Sequence, residues 1–256
     1  MNRITKAFEN KKAFIAFVTG GDPDIETTEK LIVAMAEEGV DIIEIGIPFS
    51  DPVAEGPVIQ QADERALAHG CTVDKLFDMV RRIRTGANVD IPLLFMSYIN
   101  PIFVYGKEKF MQKCRDCGID GIIVPDVPFE EKDELALECK KYGICSISMI
   151  APTSKERTEM IARNAQGFIY CVSSLGVTGV RSEINNDIGA MVKHVRKVSH
   201  LPCAVGFGIS TPEQVRDITE VSDGIIIGSA IVKIVAEYGR QSIEPVRKFV
   251  NSIMGR

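Results

Sequence analysis

The 256-residue chain has only three histidines, no apolar run near the ~18 residues needed to cross a bilayer, and no Lys/Arg stripe longer than pairs such as Lys11-Lys12 and Arg81-Arg82. With 30 basic against 35 acidic residues, a net charge of −5, it lacks the electrostatic footprint of a nucleic-acid binder. The N-terminus is polar, with no signal-type apolar stretch ahead of a cleavage site, so a cytoplasmic protein is expected. No Pro/Ser/Gly-rich linker and no shift in composition divides the chain, and the expectation is one domain over residues 1–256. The seven cysteines are odd in number and scattered along a chain too long to need staples; they read as reduced and mostly buried. Cys114-Arg-Asp-Cys117 has redox-like spacing but lies in a helical stretch, and no second pair or His cluster completes a zinc site.

What is present is a folded, water-soluble composition, 45% hydrophobic and 25% charged, and a repeated local pattern. Helices ending in Gly run straight into apolar stretches at Gly39-Val40-Asp41-Ile42, Gly118-Ile119-Asp120-Gly121 and Gly143-Ile144-Cys145-Ser146. Glycine at the position after a helix takes the left-handed conformation that stops it. Between these runs the spacing is helical, as at Leu31/Met35 and Ile32/Ala36, so strands and helices alternate. Eight strands are predicted, over residues 13–19, 41–47, 92–97, 121–125, 145–150, 167–172, 202–206 and 224–227. Eight parallel, nearly continuously apolar strands predict a single (β/α)8 TIM barrel. The competing open, doubly wound sheet is disfavoured because the first strand leads into Gly20-Gly21-Asp22-Pro23 rather than a Gly-x-Gly-x-x-Gly turn.

In such a barrel, function concentrates at the carboxyl ends of the strands. The polar residues there are Thr19, Glu44, Tyr98, Asn100, Asp126, Thr153 and Tyr170, with glycines 206, 208 and 228. Side chains alternate along a strand, so Glu44 shares a face with Ile42 and Gly46, while Ile43, Ile45 and Ile47 share the other. Position alone leaves open which face points into the barrel. An inward carboxylate would be desolvated and its pKa raised, suiting it to exchange protons near neutrality. Glu55 follows eleven residues later, in a stretch (48–57) too rich in Pro and Gly for helix or strand, and a loop there can fold a second carboxylate over the first.

A phosphate cradle is the other signal. Gly206-Phe207-Gly208-Ile209-Ser210 follows strand seven and leads into a helix start with Thr211 as cap, Pro212 at the first position and Gln214 completing a capping box; Gly228-Ser229-Ala230 follows strand eight. Glycines let backbone N–H groups approach an anion, and a helix N-terminus adds partial positive charge. Gly176-Val177-Thr178-Gly179 lies in a long segment expected to be irregular over 173–186 and able to close from above. No His and no Lys ends a strand, which disfavours zinc and Schiff-base aldolases and leaves carboxylates to move protons on a phosphorylated substrate.

The segment Glu44-Ile-Gly-Ile-Pro-Phe-Ser-Asp-Pro-Val-Ala-Glu55-Gly-Pro, with Gly176-Val-Thr-Gly179, Gly206-Phe-Gly-Ile-Ser210 and Gly228-Ser-Ala-Ile-Val-Lys233, resembles the tryptophan synthase alpha subunit family in the same order from about residue 14 to 233. The resemblance implies a lyase that splits indole-3-glycerol phosphate into indole and glyceraldehyde 3-phosphate, binds no cofactor itself, and passes indole to a pyridoxal-phosphate beta subunit in an alpha2beta2 complex. It implies that Glu44 transfers protons and that Glu55 stands where a second catalytic acid, commonly Asp, is found. It further implies that Phe17, Tyr98, Asp126 and Tyr170 form the indole pocket or anchor its lid. Thr178, Gly179, Gly208, Gly228 and Ser229 would contact the substrate phosphate, and Phe49, Asp51 and Pro52 would face the partner. Two alternatives share this reading: a free-standing indole-producing lyase, and a weakly catalytic subunit that chiefly binds and activates its partner.

Overall fold

The computed structural model describes residues 2–152, 154–172, 181–206, 208 and 211–255, the side chains of 181–187 excepted. Eight parallel strands close into a barrel in sequence order: β1 (Ala13–Thr19), β2 (Ile42–Gly46), β3 (Leu93–Met96), β4 (Gly121–Ile123), β5 (Cys145–Ile150), β6 (Gln166–Val172), β7 (Cys203–Gly206) and β8 (Gly224–Ile227). β8 pairs back onto β1, with Ala13 opposite Gly224, and this closure excludes the open doubly wound sheet. The observed strands match the expected ones to within a residue or two. Gly39, Gly118 and Gly143 have φ of 90°, 91° and 69°, the left-handed turn that ends a helix and starts the next strand.

Alternation along the strands sorts the core into two layers. Ile15, Ile42, Leu94, Ile123, Cys145, Ile147, Phe168 and Ala204 fill the barrel, with Ile4, Ala7 and Phe8 from the N-terminal segment packed on the same cluster. Residues one step out of phase, such as Ala16, Ile43, Ile45, Phe95 and Cys171, pack outward against the helices. All seven cysteines are buried and unpaired in disulfides.

At the amino ends of the strands one device recurs. The aspartates just before β2, β4 and β8 accept from a backbone N–H of the strand before: Asp41 from Phe14 (2.8 Å), Asp120 from Leu93 (3.0 Å) and Asp223 from Cys203 (2.9 Å). Arg84, itself nearly buried, ties Asp120 to the carbonyls of Gly118, Val89 and Ile91. This end is satisfied and rigid, and it leaves the opposite end free for chemistry.

One expectation is corrected. The irregular segment drawn over 173–186 is helical from Arg181, within Arg181–Val195. The polar run Asn185-Asn186-Asp187 disguises the helix start, because such residues favour turns and caps. Residues 173–180, with Thr178 and Gly179, lie outside the described residues, as do Thr153, Phe207, Ile209 and Ser210.

Candidate active site

The alternation on β2 is resolved by its neighbours. Ile42 belongs to the cluster inside the barrel, Ile43 and Ile45 to the outer one, so Glu44 points inward. It lies between Phe17 of β1 and Leu94 of β3. Gly46 is glycine for room: a Cβ there would stand 2.7 Å from the Phe17 ring. Glu44 is fully buried and neither carboxylate oxygen has a hydrogen-bond partner among the described residues. An unpaired charge in such surroundings is costly, so the group neutralises instead. Burial lifts its pKa from 4.5 to about 8, making Glu44 a neutral acid at pH 7 that can become a base once it has given up its proton.

Glu55 ends the loop that follows β2, directly before the helix Pro57–Ala68. It is half-buried, its Oε2 lacks a partner, and its pKa is raised by burial and partly drawn back by the Tyr98 hydroxyl. Tyr98 clamps the loop: its hydroxyl accepts the N–H groups of Val53 (3.1 Å) and Ala54 (2.9 Å), and its ring packs on Phe49 with centroids 5.4 Å apart. Asp126 stands behind Tyr98 and accepts the N–H of Ile99 with both oxygens, at 3.0 and 3.2 Å, at the start of the helix Ile99–Tyr105. Neither Tyr98 nor Asp126 lines the cavity; Tyr98 holds Ala54, which does, and Asp126 holds the backbone next to Tyr98.

That cavity, about 280 Å³, lies near the lower end of the range for small-molecule sites. Phe17, Met96, Met149 and Tyr170 supply apolar surface, Glu55 and Ile59 come from the β2 side, and Gly208, Gly228 and Ser229 from the β7–β8 side. Gly206 serves Tyr170, whose hydroxyl occupies the space 2.6 Å from where a Cβ would be. Burial and then the nearby Glu44 push the Tyr170 phenol well above its usual pKa, so it stays a neutral hydrogen-bonding group. Gly208 has φ 66°, a left-handed turn that glycine adopts without strain. The capping box of Thr211 and Gln214 is formed as expected. Among the described residues no trio of His, Cys, Asp or Glu is grouped to hold a metal ion.

Two features escaped the sequence reading. Asp63, on the helix Pro57–Ala68, is buried; its pKa rises from 3.8 to about 8, first through burial and then through the charge of Glu55, while the Phe49 N–H (3.5 Å) opposes the shift. The second is apolar surface around the catalytic face. Asp51 is exposed, with the Ser50 hydroxyl donating to it, and Pro52 is half-buried; beside them Val53 is 81% exposed, and Phe103 and Val104, on the helix that follows Tyr98, are 45% and 82% exposed. A helical hydrophobic spacing would have flagged a core-facing stripe, but nothing in the local pattern marks which apolar residues are left uncovered.

Fold and pocket together define a (β/α)8 barrel with a buried acid at the carboxyl end of β2 and a glycine-lined recess after β7 and β8. Comparison narrows the class. The family model described as tryptophan synthase alpha chain matches residues 4–254. Tryptophan synthase alpha chains of Thermoanaerobacter sp. and Lacticaseibacillus casei are 48% and 45% identical, each over 99% of this chain and over 98% and 94% of their own lengths. The crystal structure of tryptophan synthase subunit alpha from Legionella pneumophila superposes with a TM-score of 0.90 at 38% identity, over 100% of this chain and 98% of that one. A chain of the tryptophan synthase complex from Pyrococcus furiosus gives 0.86 at 33% identity, over 96% and 99%. The chain belongs to the tryptophan synthase alpha chain family.

Proposed function

We propose that this chain is the alpha subunit of a cytoplasmic tryptophan synthase, cleaving indole-3-glycerol phosphate to indole and glyceraldehyde 3-phosphate with Glu44 and Glu55 as its acid–base pair. The observation that carries the reading is the buried, neutral Glu44, without a described hydrogen-bond partner, beside the cavity-lining Phe17 and Tyr170. Its proton passes to indole C3, which makes the ring an electron sink. Positive charge develops on the ring nitrogen, where the Glu55 carboxylate accepts the N–H and stabilises it. Glu44, now a carboxylate, takes the proton of the side-chain hydroxyl next to the ring. The O–H electron pair becomes the aldehyde carbonyl, the carbon–carbon pair returns to the ring, and Glu44 ends protonated as it began. The ring lies against Phe17 and Tyr170, and the phosphate rests on the backbone around Gly208, Gly228 and Ser229, with Thr178 and Gly179 as its further contacts.

The partner reading rests on exposed apolar surface beside the loop that carries Glu55. A beta subunit covering Phe49, Asp51, Pro52 and Val53 would hold that loop, keep Glu55 in place and receive indole without release to water. A solved homologue from Pyrococcus furiosus is described as part of an a2b2 complex with mutual activation.

Indole release, measured with and without a beta subunit, tests both parts. Turnover should rise strongly on adding the partner, less so for Asp51→Ala; Glu55→Asp should keep measurable activity and Glu55→Ala lose most of it. A wild-type rate indifferent to the partner would favour a free-standing lyase, and no lyase activity in either condition would leave the activating-subunit reading.

A further inference from the structure

The cavity is electrically lopsided. On the β2 side Glu55 lines it, with Glu44 fully buried beside the lining residues Phe17 and Tyr170; on the β8 side the helix Ser229–Tyr238 begins, and its N-cap, Gly228, offers no side-chain capping bond. The first N–H groups of a helix have no partner within it, so those nearest Ser229 are free to meet an anion. Lys233 lines the same cavity, and among its described lining residues it is the one Lys or Arg. It lies four residues beyond Ser229, one helical turn on, so both occupy one face of the helix. Several other basic residues of the outer helices are already spent: Lys30 on Glu26, Arg65 on Asp22, Arg240 on Asp24, and Arg247 on Glu37 and Glu38. Lys233 is exposed, and no hydrogen bond or ion pair of its side chain with a described residue is present. A cation with no described side-chain partner at one end of a cavity, and at the other end Glu55 with a buried carboxylate oxygen and Glu44 behind the wall, both without a described hydrogen-bond partner there, is a charge distribution awaiting a ligand.

We propose that Lys233 is a phosphate-binding residue of this site, its ammonium completing the cradle formed by the backbone at Gly228 and Ser229 and selecting a phosphoester over an uncharged analogue. The proposal rests on the substrate reading above. The substrate is itself lopsided, with positive charge developing on the ring nitrogen and negative charge on the phosphate, and the cavity presents the complement of each. Glycine loops and a helix start supply only partial charges, whose pull falls off within the first turn; a full charge on the rim adds attraction that extends into solvent and weakens with salt. The contact is the same in substrate and transition state, so it acts on binding more than on the chemical step.

Calorimetry with glycerol phosphate, and separately with indole, on wild type, Lys233→Gln and Lys233→Arg is the test. The glutamine variant should bind glycerol phosphate about tenfold more weakly at low ionic strength, the gap narrowing at high salt, with indole affinity unchanged. Arginine should recover most of the loss. In turnover, KM for indole-3-glycerol phosphate should rise by a similar factor while kcat stays within about twofold. Equal glycerol phosphate affinity in wild type and the glutamine variant, with wild-type lyase activity intact, overturns the role of Lys233 and leaves the function standing. A wild type that neither binds glycerol phosphate nor cleaves the substrate overturns both.

Discussion

The two ends of the barrel interior obey opposite rules. Toward the amino ends, Ile15, Ile42, Leu94, Ile123, Ile147 and Phe168 pack with Ile4 and Phe8, and the aspartates before β2, β4 and β8 consume backbone donors. Toward the carboxyl ends, the same strands continue into Phe17, Met96, Met149 and Tyr170 around a cavity, with Glu44 buried beside it and no described hydrogen-bond partner for its carboxyl group. One end is filled and satisfied; the other is open and left in electrostatic debt. Stability and chemistry are thereby separated along a single set of strands, and a substitution should register in one measurement or the other according to its height in the barrel.

The largest expected effect comes from emptying the filled end. Phe168 is fully buried and packs against Phe8 at 5.5 Å between ring centroids. Phe168→Ala should lower unfolding free energy by roughly 3–5 kcal/mol, read by denaturant titration, with kcat little changed where the variant remains folded. A variant that kept its stability and lost turnover would reverse the comparison.

Glu44→Gln should do the opposite. Without a proton to cycle, kcat should fall by roughly a hundredfold or more, about 2.7 kcal/mol or more in barrier. Relative to wild type, its stability should improve as the pH rises. The folded-state pKa of Glu44, about 8, lies above the ordinary value of 4.5. The stability that the neutral group contributes is therefore complete below 4.5 and is lost as pH rises through that window toward 8, by at most ~1.4 kcal/mol per pH unit. Glutamine titrates nowhere, so unfolding measured from pH 5 to 9 should show the variant overtaking wild type. A wild type more stable than Glu44→Gln at pH 8 would contradict a dry, unpartnered carboxylate. For the same reason kcat/KM should decline above about pH 8, where the free enzyme loses the acid form of Glu44.

The smallest effect, at Asp63, sharpens the boundary between the two ends. Its pKa, about 8 against 3.8, carries the same sign, so Asp63→Asn should be the more stable form at neutral and alkaline pH, by about 1 kcal/mol after allowance for its partial solvation. Asparagine can still accept the Phe49 N–H, so turnover should stay within about threefold. A tenfold loss of kcat would place Asp63 among the groups that handle the substrate.

Much of this was legible in one dimension. The Gly-terminated helices and apolar runs located all eight strands and their number, because helix stops and strand periodicity are local properties of the backbone. The placement of Glu44 at the carboxyl end of β2, and of Glu55, Gly208, Gly228 and Ser229 around the cavity, was legible too, since carboxyl strand ends and the helix starts after them are set by the same local order.

Whatever depended on distance between segments remote in sequence waited for the fold. Alternation placed Glu44 on a face of β2, but only the closed barrel decided that the face was interior and that no described group would hydrogen-bond its oxygens. Gly206 reads as a phosphate glycine, and the structure also gives it to the Tyr170 hydroxyl on the adjacent strand. Asp126 reads as a pocket or lid-anchoring residue, and the fold brings to it the backbone N–H of Ile99, 27 positions away. Asp63 goes unmarked in the sequence, and on the helix Pro57–Ala68 it is a buried acid close enough to Glu55 to feel its charge. Periodicity and turn chemistry act over a few residues and so are written in the sequence itself; burial, desolvation and charge proximity are sums over neighbours that only the closed barrel assembles.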